Sequence, residues 1–264
     1  MSTISLLDGL LVGILQGILE WLPLSSSGQL MVVLSRFLGL HPRAAYELGL
    51  FLHLGTALSA TIFYRESLLS SLNGLVRAGR LDSVAKLLLV TTLFSAVSGV
   101  PVYIAYAHFL SGISCDTVML PVGLALLATA LILWLRPKGN GRRLSDASIR
   151  DYTLLGIVQG FAVLPGLSRS AVTIALLCLR GFEPLEAVRG SFLAAIPVSV
   201  AAGLLEAHFV PLAPPHLVAL ASAFLVGVAT IGAVTSVSSR VKMAPFLAFL
   251  SCLMILSAVP AYLT

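Results

Sequence analysis

Two short clusters of chemically active side chains interrupt a chain that is otherwise strongly apolar. Each cluster contains a Gln-Gly pair, then Leu-Pro, then several hydroxyl side chains. The first runs from Gln16 to Gly28 and the second from Gln159 to Ser170. Backbone that leaves the helix at membrane depth is tolerated only where it lines a cavity, so matched interruptions in two halves of a membrane protein indicate a binding site. The two clusters are therefore the candidate site.

The residues that follow each proline are suited to binding a phosphate. Helices are expected to begin there, so free N–H groups and the positive end of the helix dipole would meet hydroxyl donors. Arg169 adds a planar guanidinium, which is costly in an apolar hairpin unless it pairs with an anion. The alternative is that the serines only cap helices and that Arg169 pairs with Glu20 for stability. The expected phosphate contacts are Ser25, Ser26, Ser27, Gly28, Gly166, Ser168 and Ser170.

Glu20 is the acid of the first cluster and lies four residues after Gln16, on the same helical face. A buried carboxylate beside a phosphate site can act as a general base, hold a divalent cation such as Mg²⁺ or Ca²⁺, or orient a hydroxyl nucleophile. Glu47, at the outer start of a predicted span, either borders the pocket or anchors the interface. His53 of the same span either reaches the pocket or serves in helix packing, and packing is the favoured role.

The composition is that of an integral membrane protein. Of the 264 residues, 58% are hydrophobic and 10% are charged, against about 25% charged in an ordinary soluble domain. The length suits one helical bundle, because each crossing needs about 20 apolar residues. The net charge of +5 does not indicate nucleic acid, since the basic residues lie between apolar segments. The cysteines, Cys115, Cys178 and Cys252, have neither metal-type spacing nor a disulfide pattern.

The apolar segments predict an all-α fold with an inverted repeat. Two helical hairpins, 4–38 and 151–180, are expected to enter the membrane and turn back at Pro23 and Pro165. Each half then has one re-entrant hairpin and three transmembrane helices, and this odd number of crossings turns the second half upside down. One membrane domain is predicted, with repeats at 1–135 and 151–264 joined by a cytoplasmic linker at 136–150. The six expected spans are 46–64, 84–109, 117–135, 186–208, 216–237 and 243–262.

Charge placement predicts the orientation in the membrane. Three basic loops fall on one face of the predicted topology, and the positive-inside rule makes that face cytoplasmic. Both chain termini and the candidate site are then expected on the outer side of the plasma membrane. The basic residues are Arg65, Arg77, Arg80 and Lys86 in the first loop, Arg136, Lys138, Arg142, Arg143 and Arg150 in the second, and Arg240 and Lys242 in the third.

The two clusters closely resemble the two signature motifs of the undecaprenyl-pyrophosphate phosphatase family, which is linked to bacitracin resistance. The resemblance is carried by the stretches from Glu20 to Gly28 and from Pro165 to Ser170, and it extends through Tyr46-Glu47, Gly55 and the stretch from Ser191 to Pro197. It implies a membrane hydrolase with inverted repeats and re-entrant hairpins. Such an enzyme removes the terminal phosphate of a C55 polyprenyl diphosphate on the outer side and regenerates the monophosphate carrier used for cell-surface glycans.

The resemblance also implies roles for single residues. Ser26 matches the proposed nucleophile, Glu20 the second acid of the first motif, and Arg169 the phosphate-binding arginine. Two positions depart from the pattern: Gln16 stands where many members have glutamate, and Gln29 where many have histidine. Both replacements keep hydrogen bonding but remove proton transfer, so Gln16 and Gln29 are expected to contact the substrate without acting as acids or bases. Glu20 would then serve alone, with a bound divalent cation as an option.

A transporter that moves a polyprenyl phosphate across the bilayer is the alternative function. Inverted repeats with broken helices are typical of transporters, and Gln16 and Gln29 suit binding without hydrolysis. The retained Ser26, Glu20 and Arg169 favour the hydrolase. The expected partners are a polyprenyl diphosphate and the membrane, with no nucleic acid, and a homodimer is compatible with this class. Both functions require the two cluster tips to meet around a shared hollow.

Overall fold

The computed structural model describes residues 4–110, 115–135 and 141–238, together with 245, 248–249, 251–253 and 255–256. This part of the chain is built from α-helices joined by short turns. The helices are α1 Leu6–Leu19, α2 Ser26–Phe37, α3 Pro42–Phe63, α4 Arg65–Ala78, α5 Ser83–Leu110, α6 Cys115–Trp134, α7 Ile149–Phe161, α8 Arg169–Leu179, α9 Pro184–Glu206 and α10 Pro214–Ser238, with a 3₁₀ turn at Leu144–Asp146.

Four of these helices are long and apolar enough to cross a membrane: α3, α5, α9 and α10. They coincide with four of the six predicted spans, so the prediction of an all-α membrane protein is confirmed. The fifth predicted span, 117–135, coincides with α6. The sixth, 243–262, lies mostly outside the described residues.

Helix α4 corrects the prediction that Arg65 and Arg77 lie in a loop. The segment is helical from Arg65 to Ala78 and ends at Gly79, whose φ of 60° is in the left-handed region that glycine adopts readily. Leu68 packs against a buried apolar cluster, whereas Leu72, one turn further along the same face, is exposed. The segment is too polar to span, but its apolar residues recur at helical spacing and form an amphipathic helix.

Both prolines of the polar clusters lie between two short helices, as predicted. Pro23 falls between α1 and α2, and Pro165 falls between α7 and α8. The helices that lead into the two turns begin alike. The side chain of Ser5 caps α1 in a reciprocal pair with Asp8, and Ser148 caps α7 in the same way with Asp151.

Small residues allow the short helices to pack backbone against backbone. Helix α1 lies on α10 and α7 lies on α5. A Cβ atom at Gly13 would overlap the carbonyl oxygen of Ala219, and one at Gly156 would lie 2.7 Å from the carbonyl oxygen of Thr91. These contacts hold the two short helices against two long ones. They therefore fix the position in space of the turn that follows each short helix.

The second part of the predicted linker is anchored rather than free. The N–H of Arg142 donates to the Gly181 carbonyl at 3.0 Å, and the N–H of Glu183 donates to the Arg142 carbonyl at 2.9 Å. The buried carboxylate of Asp151 accepts from Arg142 at 3.0 Å and from Arg180 at 2.7 Å. These bonds tie 141–151 to the end of α8. Helix α7 begins at Ile149, inside the predicted 136–150 linker, and 136–140 lie outside the described residues.

Gly13→Ala should reduce the free energy of unfolding by about 1–3 kcal/mol, because the added methyl group overpacks the α1–α10 contact. The measurement is thermal unfolding in detergent. Gly74→Ala is the matched control, since a Cβ at Gly74 meets nothing within 4 Å and alanine favours the helix. Equal melting temperatures for the two variants would contradict the close packing.

Candidate active site

The tips of the two polar clusters touch each other. Ser25 has a φ of 59°, in the left-handed region, and its Oγ accepts a hydrogen bond from the N–H of Gly166 at 2.9 Å. A Cβ atom at Gly28 would lie 2.5 Å from the same nitrogen, so the approach requires glycine there. The expected meeting of the two tips is therefore confirmed.

Neighbouring elements hold the second tip in place. Ser170 Oγ donates to the Leu22 carbonyl at 3.1 Å, and Tyr46 of α3 donates to the Val163 carbonyl at 2.9 Å. Thr129 of α6 donates to the Gly166 carbonyl at 3.1 Å. Each of these bonds satisfies a backbone oxygen that leaves the helical pattern, which stabilises the irregular turn.

Glu20 lies at the centre of the site and is buried. Its Oε1 accepts from Arg169 Nη2 at 2.6 Å. Its Oε2 accepts from Gln16 Nε2 at 3.0 Å and from Ser26 Oγ at 2.8 Å. The predicted ion pair with Arg169 is present, and the Ser26 hydroxyl already points its proton at a carboxylate. That arrangement suits activation of the hydroxyl as a nucleophile.

His53 reaches the pocket, so the less favoured of its two expected positions is the one observed. Its Nε2 lies 3.2 Å from Glu20 Oε2, and the side chain lines the cavity beside Glu20. A single histidine in an apolar span carries no spacing signal. Its role depends on α3 packing against the end of α1, which only the tertiary structure shows.

Several polar groups at the site have no partner among the described residues. Arg169 Nη1 and Gln16 Oε1 are both buried and without a hydrogen bond. No side chain caps the start of α2, which leaves the N–H groups of its first turn available. A buried guanidinium nitrogen without an acceptor requires an explanation, and an anionic ligand supplies one.

A cavity of about 510 Å³ opens beside these groups. Polar residues of both clusters line it: Glu20, Ser25, Ser26, Ser27, Gln159, Ser168, Arg169 and Ser170. The remaining wall is largely apolar and is formed mainly by α5 and α9, with Gly99, Val100, Ile104, Val198, Ala202 and Leu205 among its residues. The sequence alone does not predict this wall, because evenly apolar spans do not show which face adjoins a pocket. The shape suits an anionic head group attached to an apolar chain.

Five predicted contact residues do not line the cavity. Gln16 lies behind Glu20, and Gly28 and Gly166 face each other. Gln29 donates to the Leu24 carbonyl at 2.6 Å. Glu47 does not border the cavity, which was one of its two expected positions: its side chain lies in the first turns of α3 and pairs with Arg43 at 2.8 Å.

The sequence matches a known family along most of its length. The family described as bacitracin resistance protein BacA matches residues 9–256. The chain belongs to this family. The resemblance that the two clusters indicate is thereby confirmed.

Relatives of high similarity come from archaea and are named undecaprenyl-diphosphatase. The protein of Methanothrix thermoacetophila is 36% identical over 244 residues, which cover 91% of this chain and 92% of the relative. The protein of Haloarcula marismortui is 35% identical over 253 residues, with 91% and 92% covered. The protein of Pyrobaculum aerophilum is 40% identical over 191 residues, with 72% and 71% covered.

Ser25→Ala should reduce the free energy of unfolding by about 1–3 kcal/mol, because the buried N–H of Gly166 loses its acceptor. Denaturation in detergent measures the change. Ser27→Ala is the matched control, since Ser27 lines the same cavity and its side chain has no hydrogen bond to the described residues. If Ser25→Ala is as stable as Ser27→Ala, the Ser25–Gly166 bond does not hold the tips together.

Proposed function

We propose that the chain is an undecaprenyl-diphosphatase, a membrane hydrolase that removes the terminal phosphate of a polyprenyl diphosphate and leaves the monophosphate. Family membership and relatives of that name at 35–40% identity support the proposal. The observation that carries it is the chain of contacts from Ser26 to Glu20 to Arg169 on the wall of a largely apolar cavity.

Arg169 and the two helix starts are the proposed binding site for the diphosphate. Glu20 holds one guanidinium nitrogen, Nη2, and orients the group. The other nitrogen, Nη1, is left to bind phosphate oxygens. The N–H groups at the start of α2 and the hydroxyl of Ser27, which has no hydrogen bond to the described residues, are further donors. Fixed donors of this kind stabilise the charge that develops on a transferred phosphoryl group.

The apolar wall is the proposed path of the lipid tail. A cavity of 510 Å³ is in the range of small-molecule sites. It accommodates the head group and the first part of the chain, and the rest of the tail lies in lipid. A soluble diphosphate would leave this wall unused, so the cavity favours a lipid substrate.

In the proposed mechanism, Ser26 Oγ attacks the terminal phosphorus. Its proton passes to Glu20 Oε2, with which the hydroxyl is already hydrogen-bonded at 2.8 Å. The bond between that phosphorus and the bridging oxygen breaks, and the polyprenyl monophosphate leaves. Water then releases inorganic phosphate from the serine. Direct attack by water oriented by Glu20 is the alternative, and the Ser26–Glu20 hydrogen bond favours the serine.

The inverted repeat and the re-entrant hairpins are part of the proposal. Corresponding packing supports them: α1 lies on α10 as α7 lies on α5, and α2 lies on α3 as α8 lies on α9. Matching capped starts and proline turns add support. The basic loops support a cytoplasmic side at the end of α3 and the start of α5, and in the proposed orientation the site opens to the outer side.

A divalent cation held by Glu20 does not fit the donors around that residue. Both carboxylate oxygens already accept from N–H or O–H groups, one of them a guanidinium. No group of three potential metal ligands occurs among the described residues. The proposal for Mg²⁺ or Ca²⁺ is therefore restricted to a cation that arrives on the diphosphate, since Mg²⁺ is often bound mainly through substrate phosphates.

The transporter alternative has no observation in its favour. Binding and release of a phosphate do not require a serine hydroxyl hydrogen-bonded to a carboxylate, whereas hydrolysis through a phosphoserine does. Assembly as a homodimer stays a prediction.

Arg169→Ala should reduce phosphate release by on the order of 10³-fold, because the transferred phosphoryl group loses its main cationic partner. The assay follows inorganic phosphate from a C55 diphosphate in detergent micelles, with and without a chelator. The control is Arg150→Ala, which removes an exposed arginine outside the cavity. Near-normal release by Arg169→Ala, at a melting temperature equal to that of the parent, would refute the assignment.

A further inference from the structure

The contact between His53 and Glu20 has no part in the mechanism above. The two side chains approach to 3.2 Å, from Nε2 to Oε2, and are only 12% and 3% exposed. Histidine is the side chain whose ordinary protonation range lies nearest neutral pH. A buried histidine against the proposed base of a phosphoryl transfer is therefore a candidate to move protons.

The contact of the second ring nitrogen of His53, Nδ1, shows where the protons of the His53–Glu20 pair are. His53 Nδ1 lies 2.8 Å from the carbonyl oxygen of Gly49. A carbonyl oxygen only accepts hydrogen bonds, so Nδ1 carries a proton. The lone pairs of Nε2 and Oε2 would repel each other at 3.2 Å. A proton therefore lies between Nε2 and Oε2, and the pair holds one exchangeable proton beside the cavity.

Few charged groups compete for that proton. Arg169 faces Glu20 from the start of α8 and keeps its own protons. Tyr103 of α5 lines the same cavity, and its hydroxyl donates to Glu206 at 2.7 Å. The residues that α9 contributes to the wall are uncharged, and no described residue of α10 lines it. His53 is therefore left with Glu20 as its proton partner.

Ser26 and His53 meet on one oxygen atom. Both contact Glu20 Oε2, at 2.8 Å and 3.2 Å respectively. A proton that leaves the Ser26 hydroxyl thus arrives at the atom that already shares one with His53. Gln16, the remaining side chain on this oxygen, donates through an amide and transfers no proton.

We propose that His53 is a catalytic acid that completes a proton relay from Ser26 through Glu20 to the leaving group. As the Ser26 Oγ–P bond forms and the P–O bond to the bridging oxygen breaks, the Ser26 proton passes to Glu20. The Nε2 proton of His53 passes to the bridging oxygen, and the Glu20 proton then moves to Nε2. Hydrolysis of the phosphoserine returns a proton from water to Ser26 by the same groups. The inference rests on the proposed function of Ser26 and Glu20.

His53→Gln tests the relay, because glutamine can still donate to Glu20 but cannot exchange a proton. We expect kcat for the C55 diphosphate to fall by about 10²–10⁴-fold, the usual contribution of general acid–base catalysis. KM should change little, since the proposed phosphate donors remain. The relay requires a proton on His53 Nε2, so the parent should lose activity at high pH, where that proton is removed. The variant should lack this alkaline limb.

Rescue by added imidazole distinguishes a catalytic role of His53 from a purely structural one. His53→Ala leaves space beside the cavity, and added imidazole should restore a pH-dependent part of the lost turnover. His208→Gln, at an exposed histidine, is the matched control and should behave as the parent. If His53→Gln does not fold, rescue of His53→Ala decides: a folded alanine variant that imidazole does not rescue would overturn the proposal.

The two proposals fail in different ways. If the parent releases no phosphate from the C55 diphosphate, the proposed function is wrong. If the parent is active and Arg169→Ala is not, while His53→Gln keeps the parental kcat and pH profile, only the role of His53 is wrong. A loss of activity in His53→Gln with an unchanged pH profile would also overturn the relay, because a residue that only positions Glu20 gives that result.

Discussion

One buried carboxylate organises this protein. A charge in a membrane interior is stable only when donors surround it, and Glu20 collects four side chains from different parts of the chain: Gln16, Ser26, His53 and Arg169. They belong to α1, the start of α2, the middle of α3 and the start of α8. Removal of any one leaves polar groups unpaired in an apolar setting. The ion pair between Glu20 of the first cluster and Arg169 of the second also keeps the two clusters next to each other.

The rest of the fold supplies rigid walls for a site whose own backbone is irregular. Glycines let α1 and α7 lie directly on α10 and α5, so the two turns cannot shift along their neighbours without overlap. Tyr46 and Thr129 then bind the exposed carbonyls of the second turn. The left-handed Ser25 and the close approach of Gly28 to Gly166 are stable for this reason, because strain persists where the surroundings over-determine the conformation.

Local patterns in the sequence predict much of this structure, and tertiary contacts account for the rest. Pro23 and Pro165 break the helical period, so the turns follow from residue chemistry alone. The mean polarity of 65–78 is too high to predict a span, and the helix α4 is recognised only from its apolar residues at helical spacing. The four-residue spacing of Arg43 and Glu47 is that of an ion pair along one helical face, which the structure shows. His53 has no such local signal, since its partner lies on another helix.

The length of α3 sets the depth of the chemistry in the membrane. His53 precedes the end of α3 at Phe63 by ten residues, about 15 Å at the rise of an α-helix. The hydrocarbon layer is about 30 Å thick, so in the proposed topology, with α3 as a span, the carboxylate and its partners are near the bilayer midplane. In that topology a phosphate that reaches Arg169 passes through about half of the lipid layer. The apolar tail of a lipid substrate is already in the membrane and loses no hydration when the substrate enters the site. A free nucleotide has no such tail, so all of it would have to leave water.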